Sequence, residues 1–481
     1  MIYDQNIDAR YRERRICMLP TASHMRSIAF TRREALSRGI GGTAATLFGA
    51  LAACRPGAVP GERSGALDKE VALRLGIRAA DQNSPSWIEI SKGVEVFMAK
   101  HPKIKVEIEG NMSAEKFLTG HAAGAAWDVQ DTCCDQIPRE ARAGVLMKLD
   151  PFIKKHVKPE EQRDWIEWQY KFFNIDGAQY GIGKYMGTTA LYYNKNWFRE
   201  KGVPYPDESW DWEKYREAMV RLSEPQNGRW GAYLILGADR RQAKVHQNGG
   251  RFVDPNDDMK SLLHTEPVIQ AYQWIQDRMW KENSAIRQDQ RGQPQASWTT
   301  LFTQGKVAMV EEGSWSLVPV LQNETPGFEW DVAVMPRGPV QRDVLGTTDG
   351  WAMWVDTKYP DQAWTLFIFF NSDDWYAIQS RRLQPARISW QDKWAQMVVE
   401  ANPGLQGKNL RAFTDPVKQN YARPWNLFRY HAAVNQLIND VYEQSVNLNQ
   451  RPIREAHIEL SRQIDEIQQR ECAADPNCRK R

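Results

Sequence analysis

The feature of this sequence that most limits its fold is a regular alternation of strand-like and helix-like segments along the chain. Apolar side chains at every second position of residues 71–77 predict a strand, and those of residues 87–97 recur at helical spacing. A second strand at residues 104–108, a helical stretch from residue 113 and a strand at residues 128–130 follow. Because strands joined through helices pair in parallel, we expect a mainly parallel sheet covered by helices.

The alternation returns in the second half of the chain, with longer helices. The predicted strands lie at residues 190–193, 233–236, 307–310, 328–334 and 351–355, and two helices are predicted from residue 428 to about residue 470. A chain of 481 residues is long enough to form two or three packed units. We therefore expect an α/β fold with two lobes and a ligand cleft between them, where strand ends meet.

The charge balance argues against a nucleic-acid partner. The chain has 63 Lys and Arg against 60 Asp and Glu, and residues 1–54 hold 8 Arg but only 4 acidic residues. The remaining 55 basic and 56 acidic residues give a net charge of −1, so no basic surface is indicated. The compositional outlier is Trp, with 20 copies, which suits a site that packs aromatic rings against a ligand.

The amino-terminal region has the pattern of an export signal. The pair Arg32-Arg33 is typical of a twin-arginine signal, and the apolar run at residues 40–53 is too short to cross a bilayer. Cys54 follows Leu-Ala-Ala, as in a lipoprotein cleavage site, although a buried Ala-rich helix is the alternative. We expect residues 1–54 to be the signal region and residues 55–68 a linker. The exported protein would then be held at the cell envelope by lipid on Cys54.

The other cysteines give two separate predictions. Cys472 and Cys478 are separated by a short polar spacer, and they either close a small loop through a disulfide or stay apart. Cys133 and Cys134 are neighbours, and because a bridge between neighbours strains the peptide, we expect free buried thiols. The sequence has no Cys or His spacing of a zinc site, so it predicts no metal and no cofactor.

A series of short motifs occurs in an order that is typical of one family. They are Trp127-Asp128-Val129, Tyr180-Gly181-Ile182, Leu191-Tyr192-Tyr193-Asn194-Lys195, Asn248-Gly249-Gly250, Gly313-Ser314-Trp315, Trp330-Asp331-Val332-Ala333 and Asp349-Gly350-Trp351-Ala352. Each is weak alone, but together, behind a lipoprotein signal, they are specific. The chain from residue 70 to residue 470 resembles the extracellular solute-binding proteins of ABC importers, in the sugar-binding group that includes maltose-binding protein.

This resemblance implies a periplasmic-binding-protein type II fold. Lobe I would comprise residues 69–185 with 338–380, lobe II residues 186–337 with 381–470, and residues 471–481 a tail. The family implies a monomer that closes over a small-molecule sugar and delivers it to ABC transporter permease subunits. Catalysis is not implied.

The resemblance and the predicted strand ends together give eight candidate ligand-binding residues: Asp135, Trp315, Tyr185, Trp351, Asp349, Arg387, Gln82 and Trp87. Asp135 is expected to accept hydrogen bonds from sugar hydroxyls, or else to cap a helix. Trp315 is expected to stack on a sugar ring, or else to pack in the core. Trp298, Trp425 and Arg429 are weaker candidates, since most Trp residues must be structural.

Two rival functions stay open at this point. An exported carbohydrate-active enzyme would also use many aromatic residues, but it needs two carboxylates about 5 to 10 Å apart. The obvious pairs, Glu311-Glu312 and Asp373-Asp374, are neighbours whose side chains point apart. The second rival keeps the fold and binds a non-sugar solute, because Cys133 and Cys134 replace the residues that the family commonly has before Asp135.

Overall fold

The computed structural model describes residues 69–292, 295–323, 326–476 and 478. The predicted signal region with Cys54 and the predicted linker lie outside these residues. The strands are β1 Val71–Gly76, β2 Ile104–Glu109, β3 Val129–Thr132, β4 Asn174–Ile175, β5 Ala178–Gln179, β6 Gly181–Gly183, β7 Thr189–Asn194, β8 Trp230–Tyr233, β9 Val253–Asp254, β10 Asp257–Ser261, β11 Val307–Gly313, β12 Trp330–Ala333, β13 Val344–Leu345, β14 Gly350–Met353 and β15 Ala422–Arg423.

The helices pack on the two faces of the larger sheets. They are α1 Pro85–Lys100, α2 Ala114–Ala122, α3 Gln136–Arg142, α4 Asp150–His156, α5 Pro159–Arg163, α6 Glu167–Phe172, α7 Lys195–Glu200, α8 Trp212–Leu222, α9 Ala238–Gln247, α10 Glu266–Gln276, α11 Trp298–Thr303, α12 Leu317–Asn323, α13 Pro360–Phe369, α14 Asp373–Gln379, α15 Gln391–Ala401, α16 Arg411–Lys418, α17 His431–Tyr442 and α18 Ile453–Ala474. None of the helices in the described ranges is long and apolar enough to cross a membrane.

The first sheet, with the helices packed on it, forms what we call lobe I. Its strand order is β2-β1-β3-β14-β6, and β1 is parallel to both β2 and β3. β14 is antiparallel to β3 and to β6, so β6 runs in the same direction as β3. Ser84 starts the first covering helix, because its hydroxyl accepts a hydrogen bond from the Trp87 N–H at 3.3 Å.

The second sheet forms lobe II, with the strand order β12-β7-β11-β8. Successive side chains of β7 point to opposite faces of the sheet. Leu191 and Tyr193 enter the core with α8 and α10, whereas Ala190 and Tyr192 enter the core with α11 and α15. A strand that is apolar on both faces must be covered on both, which explains why β7 is buried along its whole length.

The chain passes between the two sheets at three places, the last of them between Trp390, which packs in the core of the first sheet, and Trp394, which packs in a core of the second. β6 ends at Gly183 and β7 starts at Thr189, so residues 184–188 form one crossing. Residues 346–349 form another, because β13 still pairs with β15 beside lobe II, and only β14 returns to the first sheet. The predicted change of lobe at residue 338 is therefore too early. Residues 338–345 stay with lobe II because Val344 packs in its core.

The carboxyl end also differs from the prediction. Helix α18 continues to Ala474 and so includes the first residues of the predicted tail. Cys472 and Cys478 are joined by a disulfide, which is the first of the two alternatives left by the sequence.

Candidate ligand-binding site

One edge of the lobe I sheet carries a group of polar side chains. Arg78 follows β1, Asp131 lies near the end of β3, and Lys184 and Tyr185 follow β6. Asp349 precedes β14, but because that strand is antiparallel to its neighbours, its start lies at the same edge. The strand directions therefore bring residues that are far apart in the sequence to one place.

Two cations and two carboxylates of this group form a connected network. The Arg78 guanidinium donates from Nε to Oδ1 of Asp131 at 3.2 Å and also bonds to Asp349. Nζ of Lys184 donates to Oδ2 of Asp131 at 2.6 Å. Asp131, Asp349 and Lys184 are buried, whereas the Arg78 side chain keeps 32% of its surface exposed. We call these four residues the edge network.

The pKa values follow from this network. Burial alone would raise the pKa of Asp131, but the positive charges of Arg78 and Lys184 outweigh it and lower that pKa. Burial would lower the pKa of Arg78, yet Asp131 and Asp349 hold it well above its usual range. Tyr185 has its pKa raised well above normal by burial and then by the Asp349 carboxylate, so it is a neutral hydroxyl.

Trp315 lies at the junction between the lobes. Its ring covers Gly187 in the first crossing and Gly313 at the end of β11. A Cβ atom on Gly187 would lie only 2.5 Å from the nearest ring atom, and one on Gly313 only 2.3 Å. The indole is only partly buried, so the glycines let it lie flat on the backbone with part of its surface open.

Hydrogen bonds tie this junction together. The Gly187 N–H donates to Oγ1 of Thr347 at 2.8 Å, and the Thr347 N–H donates to the Gly187 carbonyl at 2.9 Å. The Met186 N–H donates to the Gln384 carbonyl at 2.7 Å, and the Ser314 hydroxyl bonds to Oε1 of Gln384 at 3.1 Å. Trp315 is thus held on the backbone of the first two crossings, which Gln384 joins to the turn after β11.

Asp135 occupies the N-cap position of α3, but its carboxylate makes no capping hydrogen bond. The Asp135 carboxylate lies close enough to His431 of lobe II for its negative charge to raise the His431 pKa. Burial nevertheless dominates and lowers the His431 pKa, so the imidazole is neutral. Both ring nitrogens of His431 are buried without a hydrogen-bond partner among the described residues.

Four of the predicted site residues are not part of this arrangement. Trp351 is fully buried and stacks on Phe370 with ring centroids 4.0 Å apart, so the prediction that it lines the cleft is wrong here. Every second side chain of β14 points into the core, and Trp351 is one of these. The centroid of its ring lies 5.2 Å from Nζ of Lys184. Arg387 was predicted to border the ligand. Its guanidinium instead donates to Asn371 at 3.2 Å and to Asp373 at 3.3 Å.

The two candidates after β1 have different environments. Gln82 is an exposed loop residue. Trp87 packs against Gly110, where a Cβ atom would come 2.4 Å from its ring. Neither Gln82 nor Trp87 forms a hydrogen bond with a residue of the edge network. A small cavity of about 10 Å³, lined by Trp165, Gln169 and Asn371 among others, includes no residue of the edge network.

The two neighbouring cysteines adjoin the network. Cys133 and Cys134 are free thiols, as predicted, but they are only partly buried. Cys134 has a positive φ of 61°, an unusual conformation for a non-glycine residue, where the chain turns from β3 into α3. Its contact with Cys133 and its burial raise its pKa well above the ordinary value, so it is a neutral thiol.

Four residues of the site were not predicted from the sequence: Arg78, Asp131, Lys184 and His431. The first three share a signal that could have been used, since each is a charged residue within a short strand or just after its end. The position of His431 depends on how the lobes meet, and no local pattern indicates it.

Residues 80–377 match the family model described as bacterial extracellular solute-binding protein. The match spans more than half of the chain, and this protein belongs to that family. The family is one of extracellular binding proteins, so the chain belongs to an exported class.

Sequence relatives are distant. A Brucella abortus (strain 2308) protein, named as a binding protein without a stated ligand, is 24% identical over 306 residues, which are 62% of this chain and 71% of the relative. The galactooligosaccharide-binding protein of Bacillus subtilis (strain 168) is 29% identical over 258 residues, 52% of this chain and 57% of the relative.

Solved structures confirm the two-lobed α/β fold. The ABC substrate-binding protein Lmo0181 from Listeria monocytogenes, in complex with cycloalternan, is similar with a TM-score of 0.71 at 20% identity, covering 82% of this chain and 98% of that chain. UgpB from Mycobacterium tuberculosis, in complex with glycerophosphocholine, has a TM-score of 0.68 at 17% identity, with the same coverage of 82% and 98%. At these identities the likeness concerns the fold alone.

Proposed function

We propose that this protein is the solute-binding component of an ABC importer and that it binds a mono- or oligosaccharide between its lobes. The observation that carries the proposal is the position of Trp315, whose partly open ring covers Gly187 in the same crossing that begins with Lys184 of the edge network. A sugar offers apolar C–H faces for the ring and hydroxyls for the polar groups. Such a site can therefore recognise both parts of a carbohydrate.

The charges of the site favour an uncharged ligand. Arg78 and Lys184 already bond to carboxylates, and Arg240 on the lobe II side bonds to Glu312. Each of these cations therefore has a carboxylate partner already. The Asp135 carboxylate, in contrast, makes no capping hydrogen bond. An anionic ligand would lose its hydration shell without gaining a dedicated cation, which is costly. Hydroxyl groups can instead donate to Asp135 and accept from Arg78.

The relatives support the same ligand class. The Bacillus subtilis relative is named for a galactooligosaccharide, and Lmo0181 was solved with a cyclic oligosaccharide. UgpB, with glycerophosphocholine, illustrates the rival in which this fold binds another solute. We assign the ligand to the interface between lobe I, residues 69–185 with 346–390, and lobe II, residues 186–345 with 391–470.

Turnover of the sugar is not part of the proposal. The neighbouring carboxylates Glu311 and Glu312 point to opposite faces of β11, and each has a cation partner. Nζ of Lys244 lies 2.6 Å from Oε1 of Glu311, and Arg240 bonds to Glu312. Groups engaged in this way do not form the pair of facing carboxylates that a glycosidase needs.

Calorimetry with a panel of neutral and acidic saccharides tests this function. Trp315→Ala should lose the stacking contact and Asp135→Ala should leave sugar hydroxyls unpaired, each weakening binding by roughly 5-fold to 150-fold. Trp280→Ala is the matched control, since Trp280 is 37% exposed and belongs to a different part of lobe II. Equal affinity of all four proteins, or no saccharide bound at millimolar concentration, would refute the proposal.

The membrane anchor is a second part of the proposal. Cys54 ends a lipoprotein cleavage pattern, and lipid on this residue would keep the exported monomer beside the permease. Cys54→Ser should move the protein from the membrane fraction to the soluble fraction of its host, with Cys17→Ser as the control that leaves it in place. Unchanged membrane retention of Cys54→Ser would rule out the anchor.

A further inference from the structure

Four charged residues that are not part of the edge network join the two lobes. Arg142 ends α3 of lobe I, and Asp176 lies in the turn between β4 and β5. Asp258 lies in β10, and Arg429 precedes α17, both on the side of lobe II. We call these four residues the clasp.

Charges of opposite sign alternate around the clasp. Across the lobes, Arg142 Nη2 lies 3.2 Å from Oδ2 of Asp258, and Arg429 Nη2 lies 3.3 Å from Oδ2 of Asp176. Within the lobes, Arg142 Nε lies 3.6 Å from Oδ2 of Asp176, and Arg429 Nη1 lies 3.4 Å from Oδ2 of Asp258. Each arginine therefore contacts one carboxylate of its own lobe and one of the other.

The clasp is more than a set of surface ion pairs. The side chains of Arg429 and Arg142 are only 5% and 21% exposed, so solvent screens these charges less than it would at an open surface. The Arg142 guanidinium also donates to the Arg429 carbonyl at 3.0 Å, and the Arg429 N–H donates to the Asp258 carbonyl at 2.8 Å. Backbone and side chains are thus fixed together.

We propose that the clasp is a positioning device that sets the balance between closed and open lobes. Separation of the lobes breaks only the two cross-lobe pairs, and each arginine keeps the carboxylate of its own lobe. Opening therefore leaves no isolated charge, and the clasp favours the closed form without trapping it. It also holds the end of α3, the helix that starts directly after Asp135, against the segment that carries His431, and so the inference rests partly on the proposed function.

Charge swaps test this device. Exchanging the charges of one lobe only, by Arg142→Asp with Asp176→Arg or by Asp258→Arg with Arg429→Asp, keeps the pair within that lobe but sets like charges across the cleft. We expect each half-swap to raise the open-to-closed ratio of the ligand-free protein by roughly 5- to 30-fold. Small-angle X-ray scattering would record this as a larger radius of gyration. All four substitutions together should restore the parent's value.

Scattering without ligand separates this test from the proposed function, because it does not require any sugar to bind. The control is Arg199→Glu with Glu329→Arg, a pair at 2.5 Å whose side chains are 52% and 63% exposed. Asp258→Asn is a milder variant that removes the cross-lobe partner of Arg142 and should shift the radius in the same direction. Half-swaps with the parent's radius, or a folded fourfold variant that stays as open as they are, would overturn the proposal.

Discussion

Asp131→Ala is expected to destabilise the protein by about 3–5 kcal/mol, because it leaves buried Lys184 and Arg78 without their shared carboxylate. The Asp131 and Lys184 side chains are only 3% and 7% exposed, and their charged atoms lie 2.6 Å apart. Urea unfolding followed by circular dichroism would give the loss in the free energy of unfolding. The other carboxylate of the network, Asp349, bonds to Arg78 but cannot replace Asp131 beside Lys184.

Asp374→Ala provides a matched control. Asp374 also pairs with a lysine, Lys100, but these side chains are 45% and 52% exposed, so its removal should cost at most about 1 kcal/mol. The double variant Asp131→Ala with Lys184→Met should lose less stability than the sum of the two single variants, because the unpaired lysine is gone. A loss below about 1 kcal/mol for Asp131→Ala would contradict the role given to the edge network.

The second large effect is expected from Glu140, a fully buried carboxyl group of α3. Burial raises its pKa to about 8, although a hydrogen bond of 2.6 Å from the Gln130 amide opposes the shift. In the unfolded chain the pKa would be about 4.3, so the folded protein holds a proton that the unfolded chain releases. This contribution to stability is complete below about pH 4 and is lost progressively as the pH rises to about 8.

Glu140→Gln should remove this pH dependence, since an amide of similar shape carries no charge. Relative to the parent, the variant should gain on the order of 3–5 kcal/mol of stability between about pH 4 and about pH 9. Unfolding of both proteins by urea at a series of pH values measures the difference, in which titrations common to both cancel. A difference that stays constant over this range would show that Glu140 does not titrate as described.

Much of the fold could be predicted because its signals are local. The alternation of apolar and polar side chains at residues 71–77 and the order of the motifs predicted an α/β fold with two lobes. The observed strands β1, β2 and β11 begin at or beside the predicted residues. The boundary at residue 338 failed for a physical reason. Val344 and Leu345 form a short strand whose partner, β15, lies almost eighty residues later in the sequence, and no local pattern indicates such a pairing.

The candidate site could be predicted only in part for the same reason. Trp315 and Asp349 were predicted as ligand contacts because a short motif marks each of them. Trp351 was misjudged because a motif gives a position in the chain but not the face of the strand, and this ring points into the core. Arg78 and Lys184 meet Asp131 through strand order, and His431 approaches Asp135 only through the contact of two lobes.

Binding of an unaltered neutral saccharide can be tested by native mass spectrometry of the purified protein. The protein would be mixed with neutral oligosaccharides, acidic oligosaccharides and phosphodiesters. The mass spectrum reports which class binds, how many molecules bind to each chain and whether the ligand is altered. We expect one neutral saccharide per chain, with unchanged mass after prolonged incubation, and loss of this complex in Trp315→Ala. A bound phosphodiester in place of the sugar, a cleaved saccharide, or no bound saccharide at millimolar concentration would contradict this expectation.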